Sequence, residues 1–252
     1  MTLPLAELPI ELSGMSIVAV SDLHVGGPSS RSLDALDQLA GLRPDLVVAV
    51  GDLAESVRWL GHVAERLVAI GATAGTFAVW GNHDIFGPPE PADPTWLQYS
   101  ARPLPAMRTI LQDHGVQLLS HESAQLTVRG QPFQLVGIDE VRLPAESVRL
   151  AFAKADPAVP TVVLAHNPDA AYEMEHVRAD LVICGHTHGG QIVLPFVGAL
   201  KTATRRNLPR AHGLMQIHGR HVVVSAGIGT VGIPLRMGVP SEALLIRLVR
   251  PA

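Results

Sequence analysis

The chain has 252 residues, of which 47% are hydrophobic and 17% charged, with a formal net charge of −4. That length and composition support a sizeable core and exclude a disordered chain. The acidic balance offers no broad electrostatic footprint for nucleic acid, so no nucleic-acid partner is expected.

The opening segment, MTLPLAELPIELSG, has no basic start and no long apolar run, and so does not read as a signal peptide. SIVAV follows, an apolar run of a length that suits a strand buried on both faces. It leads into SDLH, which places Asp22 and His24 at its end. Residues 30–42 carry Leu33, Leu36, Leu39 and Ala40 on one helical stripe. DLVVAV ends in GDL with Asp52, and residues 55–70 repeat the helical spacing through Leu60, Val63, Ala64 and Leu67. TFAVW ends in GNHD, giving Asn82, His83 and Asp84. The proline-rich segment 86–105, containing Trp96 and Tyr99, is long for a loop. It starts two residues after Asp84 and is expected to border the mouth of any site there.

Further on, QLTV and FQLVGI flank the turn RGQP as a hairpin. TVVLA ends in AHNPD with His166, and DLVIC ends in GHTHGG with His186 and His188. Cys184 is the single cysteine, so no intramolecular disulfide forms, and its apolar setting makes it a small buried filler. LMQI, HVVVSA and ALLIRLV close the strand series. Strands and helices alternate early and hairpins follow, which predicts one α/β domain over 1–252 with an insertion at 86–105. No run approaches the ~18 apolar residues of a membrane span, so a cytoplasmic protein without a transmembrane segment is expected.

Five strands thus end in carboxylate, amide or imidazole groups, and ligands gather beyond the carboxyl ends of strands in such sheets. That donor mixture suits hard and borderline divalent metals. In DLH and HTH, side chains at i and i+2 share one side of an extended chain. Glycines before Asp52, Asn82 and His186 permit close backbone approach. A histidine that binds no metal is a natural proton donor near neutral pH.

These blocks, D-x-H, G-D, G-N-H-D, H and G-H-x-H, resemble those of the calcineurin-like metallophosphoesterases across nearly the whole chain. AHNPD, GHTHGGQIVLP and GIGTVGIPLRM are similar to the bacterial YkuE/YaeI-like subgroup. The resemblance implies a four-layer α/β/β/α sandwich of two mixed sheets flanked by helices. It implies two divalent ions, manganese favoured and iron or zinc also fitting, and in-line attack on a small phosphoester by a hydroxide bridging them. Asp22, His24 and His188 would bind the first ion, Asn82, His166 and His186 the second, and Asp52 would bridge. His83 would face the substrate, with Asp84 orienting its ring. Glu55 stands where many relatives place Asp, and its distance from the candidate ligands points to a place behind them or at a surface helix start, since acids suit a helix N-terminus.

GIGTVG spells a dinucleotide-binding pattern, but Pro234 follows at once and a tight turn fits better. Arg236 beyond it is a candidate phosphate contact, and the basic RRNLPR cluster a local anion site. His212 and Asp139 are weaker candidates for the site's surroundings. Phosphodiester or pyrophosphate hydrolysis is the leading reading. The alternatives are a UDP-2,3-diacylglucosamine pyrophosphatase-like activity on a lipid precursor, needing an apolar groove, and a non-catalytic metal-binding scaffold.

Overall fold

The apolar runs form two six-stranded mixed sheets in a computed structural model that describes residues 1–87, 100–140 and 144–251. The first five strands are β1 (Thr2–Pro4), β2 (Ser16–Val20), β3 (Leu46–Val50), β4 (Thr76–Val79) and β5 (Val116–Leu118). Next come β6 (Glu122–Val128), β7 (Gln131–Ile138), β8 (Thr161–Ala165) and β9 (Leu181–Cys184). The large sheets are completed by β10 (Gly213–Ile217), β11 (Arg220–Val224) and β12 (Leu244–Val249). One sheet runs β1-β12-β2-β3-β4-β5 and the other β10-β11-β9-β8-β7-β6. β2 to β5 are parallel neighbours in the first, as are β7, β8, β9 and β11 in the second.

Period-two alternation sorts the side chains of these strands onto two faces. Ile17, Val48, Val50 and Val79 face Leu135, Leu164, Ile183 and Val223 in a core between the sheets. The other face of the first sheet, including Val18, Val47 and Ala49, packs on α1 (Arg31–Leu39) and α2 (Val57–Ala69). After α3 (Asn82–Ile85) comes α4 (Leu104–Asp113), which adds Met107 and Leu111 to this layer. Val136, Val163 and Val182 of the second sheet pack against Val148 and Ala151 of α5 (Pro144–Ala151) and against Ala170 and Ala171. The result is the four-layer α/β/β/α sandwich.

Local chemistry trims the expected elements. Ser30 and Ser56 cap α1 and α2, accepting from the N–H of Ser32 and Arg58, so Glu55 falls outside its helix. The predicted hairpin turn narrows to Arg129 and Gly130, both at positive φ, as a two-residue turn requires, and Pro132 belongs to β7. The opening segment, given no strand from sequence, pairs Thr2 to Pro4 in parallel with Arg247 to Val249. Cys184 is buried, and burial pushes its thiol pKa up. No helix of the described residues is long and apolar enough to cross a membrane.

At the amino ends of the strands one ionic cluster ties the sheets together. Asp45 accepts from Arg129 Nε and Nη2 at 2.9 Å each, and from the Ser16 N–H at 2.7 Å. Arg129 also donates to the carbonyls of Ser13 and Gly14. Burial works against the Asp45 charge, but Arg129 and Ser16 outweigh it and lower the pKa. Asp45→Ala leaves these donors unmatched and should cost about 1–3 kcal/mol in denaturant unfolding. Because the folded pKa is depressed, this stabilisation is present above the unfolded carboxylate pKa and is lost as pH falls through the folded one. The gap between wild type and variant should therefore close as pH drops below the ordinary value of 3.8.

Candidate metal centre

Parallel strands from both sheets deliver their carboxyl ends to one place, and the backbone there is tightly closed. Asp22 N–H donates to the Gly51 carbonyl at 3.0 Å, and Gly185 N–H to the His166 carbonyl at 3.0 Å. The approach leaves no room for side chains at three positions. A Cβ at Gly51 would lie 2.3 Å from His166 Nδ1, one at Gly81 2.1 Å from Asp52 Oδ1, and one at Gly185 2.6 Å from Asp22 Oδ2.

The seven expected residues come together as two groups that meet at Asp52. In the first, His24 Nε2 and His188 Nε2 are 3.2 Å apart, and His188 Nε2 is 3.6 Å from Asp22 Oδ1. In the second, Asn82 Oδ1 lies 3.0 Å from His186 Nδ1 and 3.2 Å from His166 Nε2. Asp52 Oδ2 is 3.4 Å from His24 Nε2 and 3.5 Å from His166 Nε2. Ligand-type atoms of Asp22, His24, Asp52 and His188 all lie within 4.8 Å of one another.

The route to this convergence differs from the extended geometry expected of DLH and HTH. Asp22, His24, Asp52, His186 and His188 all have positive φ, between 46° and 70°. Left-handed backbone is uncommon outside glycine and is tolerated best by Asn, Asp and His. The two histidines of HTH accordingly diverge, His186 to the second group and His188 to the first.

Hydrogen bonds made outside the cluster decide which ring nitrogens face inward. His24 Nδ1 is 2.5 Å from Glu55 Oε1, His166 Nδ1 2.9 Å from the Val50 carbonyl, and His186 Nε2 3.1 Å from the Ala203 carbonyl. Each of those partners is an acceptor, so each neutral ring donates its N–H outward and turns its lone pair inward. The inward lone pairs then face a carboxylate or amide oxygen, itself an acceptor, and a shared cation satisfies such a set. The side chains therefore fit a metal pair. Burial opposes charge on Asp52, but His166 and His24 outweigh it and hold the carboxyl well below its usual range. Burial likewise opposes the His166 cation, but Asp52 raises its pKa well above the ordinary value. Burial, reinforced by His24 and Arg236 against the pull of Asp22, lowers His188 to about 4.

His83 stands at the rim of the first group. Its N–H donates to Asp52 Oδ1 at 2.8 Å, and its ring meets that of His24 edge-on at 4.7 Å between centroids. The orienting carboxylate for the His83 ring is Glu55, not Asp84 as expected. His83 Nδ1 is 3.2 Å from Glu55 Oε1, which also holds His24. Burial opposes the Glu55 charge, but the two histidines outweigh it and hold the carboxyl at about 2. Asp84 accepts from the N–H groups of Leu53 and Gly81 at 2.9 Å each and so fixes backbone. Burial and the nearby Asp52 charge push its pKa up to about 6.

Arg236 does not fit a phosphate contact. Its guanidinium donates to the carbonyls of His188, Ala226, Gly227 and Gly229 and ties the closing loop to the site. Asp139 accepts from Trp80 N–H at 2.9 Å and from the Ser120 hydroxyl, a structural role at the strand end. Its neighbour Glu140, given no role from sequence, groups with His166 and His186. His212 packs against Gly189, near the site but not in it. Trp96, Tyr99 and residues 88–99 of the insertion lie outside the described residues. Its roots do not: Arg102 donates to the carbonyls of Ala54 and, more closely, Glu55.

A family model described as calcineurin-like phosphoesterase matches residues 15–190. The chain belongs to that family. It is 29% identical to phosphodiesterase YaeI of Escherichia coli over 92% of this chain and 82% of that one. It is 28% identical to the UDP-2,3-diacylglucosamine pyrophosphatase LpxG of Chlamydia trachomatis over 86% and 79%. A bovine transmembrane protein with a metallophosphoesterase domain is 29% identical over 99% of this chain, which spans only 56% of that protein's length. The crystal structure of a phosphopantetheinyl hydrolase from Mycobacterium tuberculosis shares the fold at 16% identity. Its TM-score is 0.55, and the match covers 85% of this chain and 91% of that one.

The packing around Gly81 makes a direct test of the cluster. Gly81→Ala forces a Cβ into Asp52 and should displace the carboxylate shared by both groups. Metal content by elemental analysis should fall by half or more, whereas Gly27→Ala, with open space at that position, should leave it unchanged.

Proposed function

We propose that this protein is a metal-dependent phosphoric ester hydrolase that cleaves phosphodiester or pyrophosphate bonds. The observation that carries the reading is Asp52 Oδ2, set 3.4 and 3.5 Å from one histidine of each group. In this reading Asp22, His24 and His188 hold one divalent ion, Asn82, His166 and His186 hold another, and Asp52 is common to both. Manganese is favoured, and iron and zinc also suit these donors. Two such ions would supply Lewis acidity and a lowered water pKa for in-line displacement at phosphorus. The chain's own residues do the rest. Glu55 holds His83 through Nδ1, so proton delivery to the leaving oxygen falls to Nε2. Asp84 and the N–H of His83 keep α3 and Asp52 in fixed relation. A small phosphoester with a poor leaving group is the expected substrate type. Two relatives, a phosphodiesterase and a UDP-2,3-diacylglucosamine pyrophosphatase, support the diester and pyrophosphate range.

One observation favours the lipid-precursor reading as a second choice. Exposed Leu200 lines a cavity together with His186 and His188, and exposed Phe196 and Val197 precede it in the same short segment. The non-catalytic scaffold reading is disfavoured, because His83 and Glu55 accompany the complete donor set.

Asp52→Asn should retain less than half the metal of the wild type and lose most turnover of bis(p-nitrophenyl) phosphate. Elemental analysis giving one ion or none in active wild-type protein would overturn the binuclear reading. His83→Ala tests the acid role separately. General acid catalysis contributes about 10²–10⁴-fold, and the need for it grows with leaving-group basicity. The variant should keep its metals and lose much more activity on alkyl esters than on p-nitrophenyl esters. An equal loss on both, with metal content intact, would exclude the acid role.

A further inference from the structure

The charge of the chain is unevenly placed. Residues 181–241 contain six basic residues and no Asp or Glu, while the rest carries thirteen basic against twenty-three acidic. Within that stretch two segments run side by side. Val193 N–H donates to the Met237 carbonyl, Met237 N–H to the Gln191 carbonyl, and the Gln191 amide to the carbonyls of Val231 and Ile233. The first segment is a small hairpin pairing Val193–Leu194 with Gly198–Ala199. At its tip Phe196 is held at φ 65° with 110% relative exposure. A bulky residue in left-handed backbone is strained, and such strain marks functional sites. Val197 and Leu200 of the hairpin are also exposed, as are Ile233, Leu235 and Met237 of the neighbouring loop. Lys201, Arg205, Arg206 and Arg210 follow directly, all exposed, with Arg206 paired to Glu173 at 2.8 Å.

Apolar side chains projecting from a cationic surface match the boundary between headgroups and acyl chains of an anionic bilayer. We propose that this face docks the protein on an anionic phospholipid membrane, with Phe196 and Leu235 entering the interface and the cations on the headgroups. The assignment rests on the surface alone and stands whether or not the hydrolase reading does. Docking turns the candidate metal centre toward the membrane. A cavity of about 310 Å³ lies between the hairpin and the centre, lined by His186, His188, Ile192, Leu200 and Lys201.

Sedimentation with sucrose-loaded vesicles tests this, using phosphatidylcholine alone or mixed equally with phosphatidylglycerol. The wild type should bind the mixed vesicles and release as salt is raised, and should bind phosphatidylcholine weakly. Phe196→Ser with Leu235→Ser should lower partitioning at least about tenfold, from the apolar area withdrawn. Lys201→Glu with Arg210→Glu should lower it at least about tenfold on mixed vesicles only, since each cation near an anionic leaflet contributes about fivefold. Thermal midpoints matching the wild type show that both variants fold. Absence of wild-type binding, or binding that neither pair of substitutions weakens, overturns the proposal. So does a wild-type dimer in sedimentation velocity that Phe196→Ser with Leu235→Ser disperses, which would make the patch a contact between two copies.

Discussion

The structure depends on bringing two sheets to the same carboxylate. Asp52 follows β3 of the first sheet, and His166 follows β8 of the second, yet Asp52 Oδ2 lies 3.5 Å from the His166 ring. The core between the sheets sets their separation along most of the sandwich, and at the carboxyl ends that separation shrinks to contact. Glycine at 51, 81 and 185 is the condition for it. The ionic cluster of Asp45 and Arg129 fixes the opposite end, so the sandwich is held at both extremes by polar contacts and between them by apolar packing.

Burying so many titratable groups together is costly unless their charges are matched. The chain handles this with acceptors placed outside the cluster. Glu55, the Val50 carbonyl and the Ala203 carbonyl take the ring protons, and each lies far in sequence from the ring it orients. Glu55 is shared between His24 and His83, so the orientation of a donor and that of the proposed acid are not independent.

Much of this was legible in the sequence because strand ends carry their chemistry with them. Val- and Ile-rich runs marked β2, β3, β4, β8 and β9, and the polar residues just beyond each are the ones the fold gathers. What was not legible follows from contacts between distant segments. Glu55 looks like the start of a helix until Ser56 is seen to cap it and the carboxylate to turn toward His24. Asp84 looks like a partner for the ring beside it, but its buried carboxylate is taken by two backbone N–H groups. Arg236 carries the residue type of a phosphate contact and lies next to carbonyls that claim it. Thr2 to Pro4 has no periodicity to read, since a three-residue strand is defined by its partner β12. The pairing of Val193–Leu194 with Gly198–Ala199 is shorter still, and its apolar tip resembles ordinary core sequence.

Five of the seven clustered donors occupy left-handed backbone, and that has a consequence for how the site tolerates change. Asp, Asn and His are the side chains that both bind metals and accept this conformation at little cost. Selection for backbone shape and selection for ligand chemistry therefore draw on the same short alphabet. An exchange within it, Asp to Asn, alters charge while leaving the turn intact. An exchange outside it, to Val or Ile, alters the turn before the chemistry is reached. Drift at these positions is thus channelled toward isosteric neighbours, and a descendant that had abandoned catalysis would still keep much of the motif for the sake of its loops.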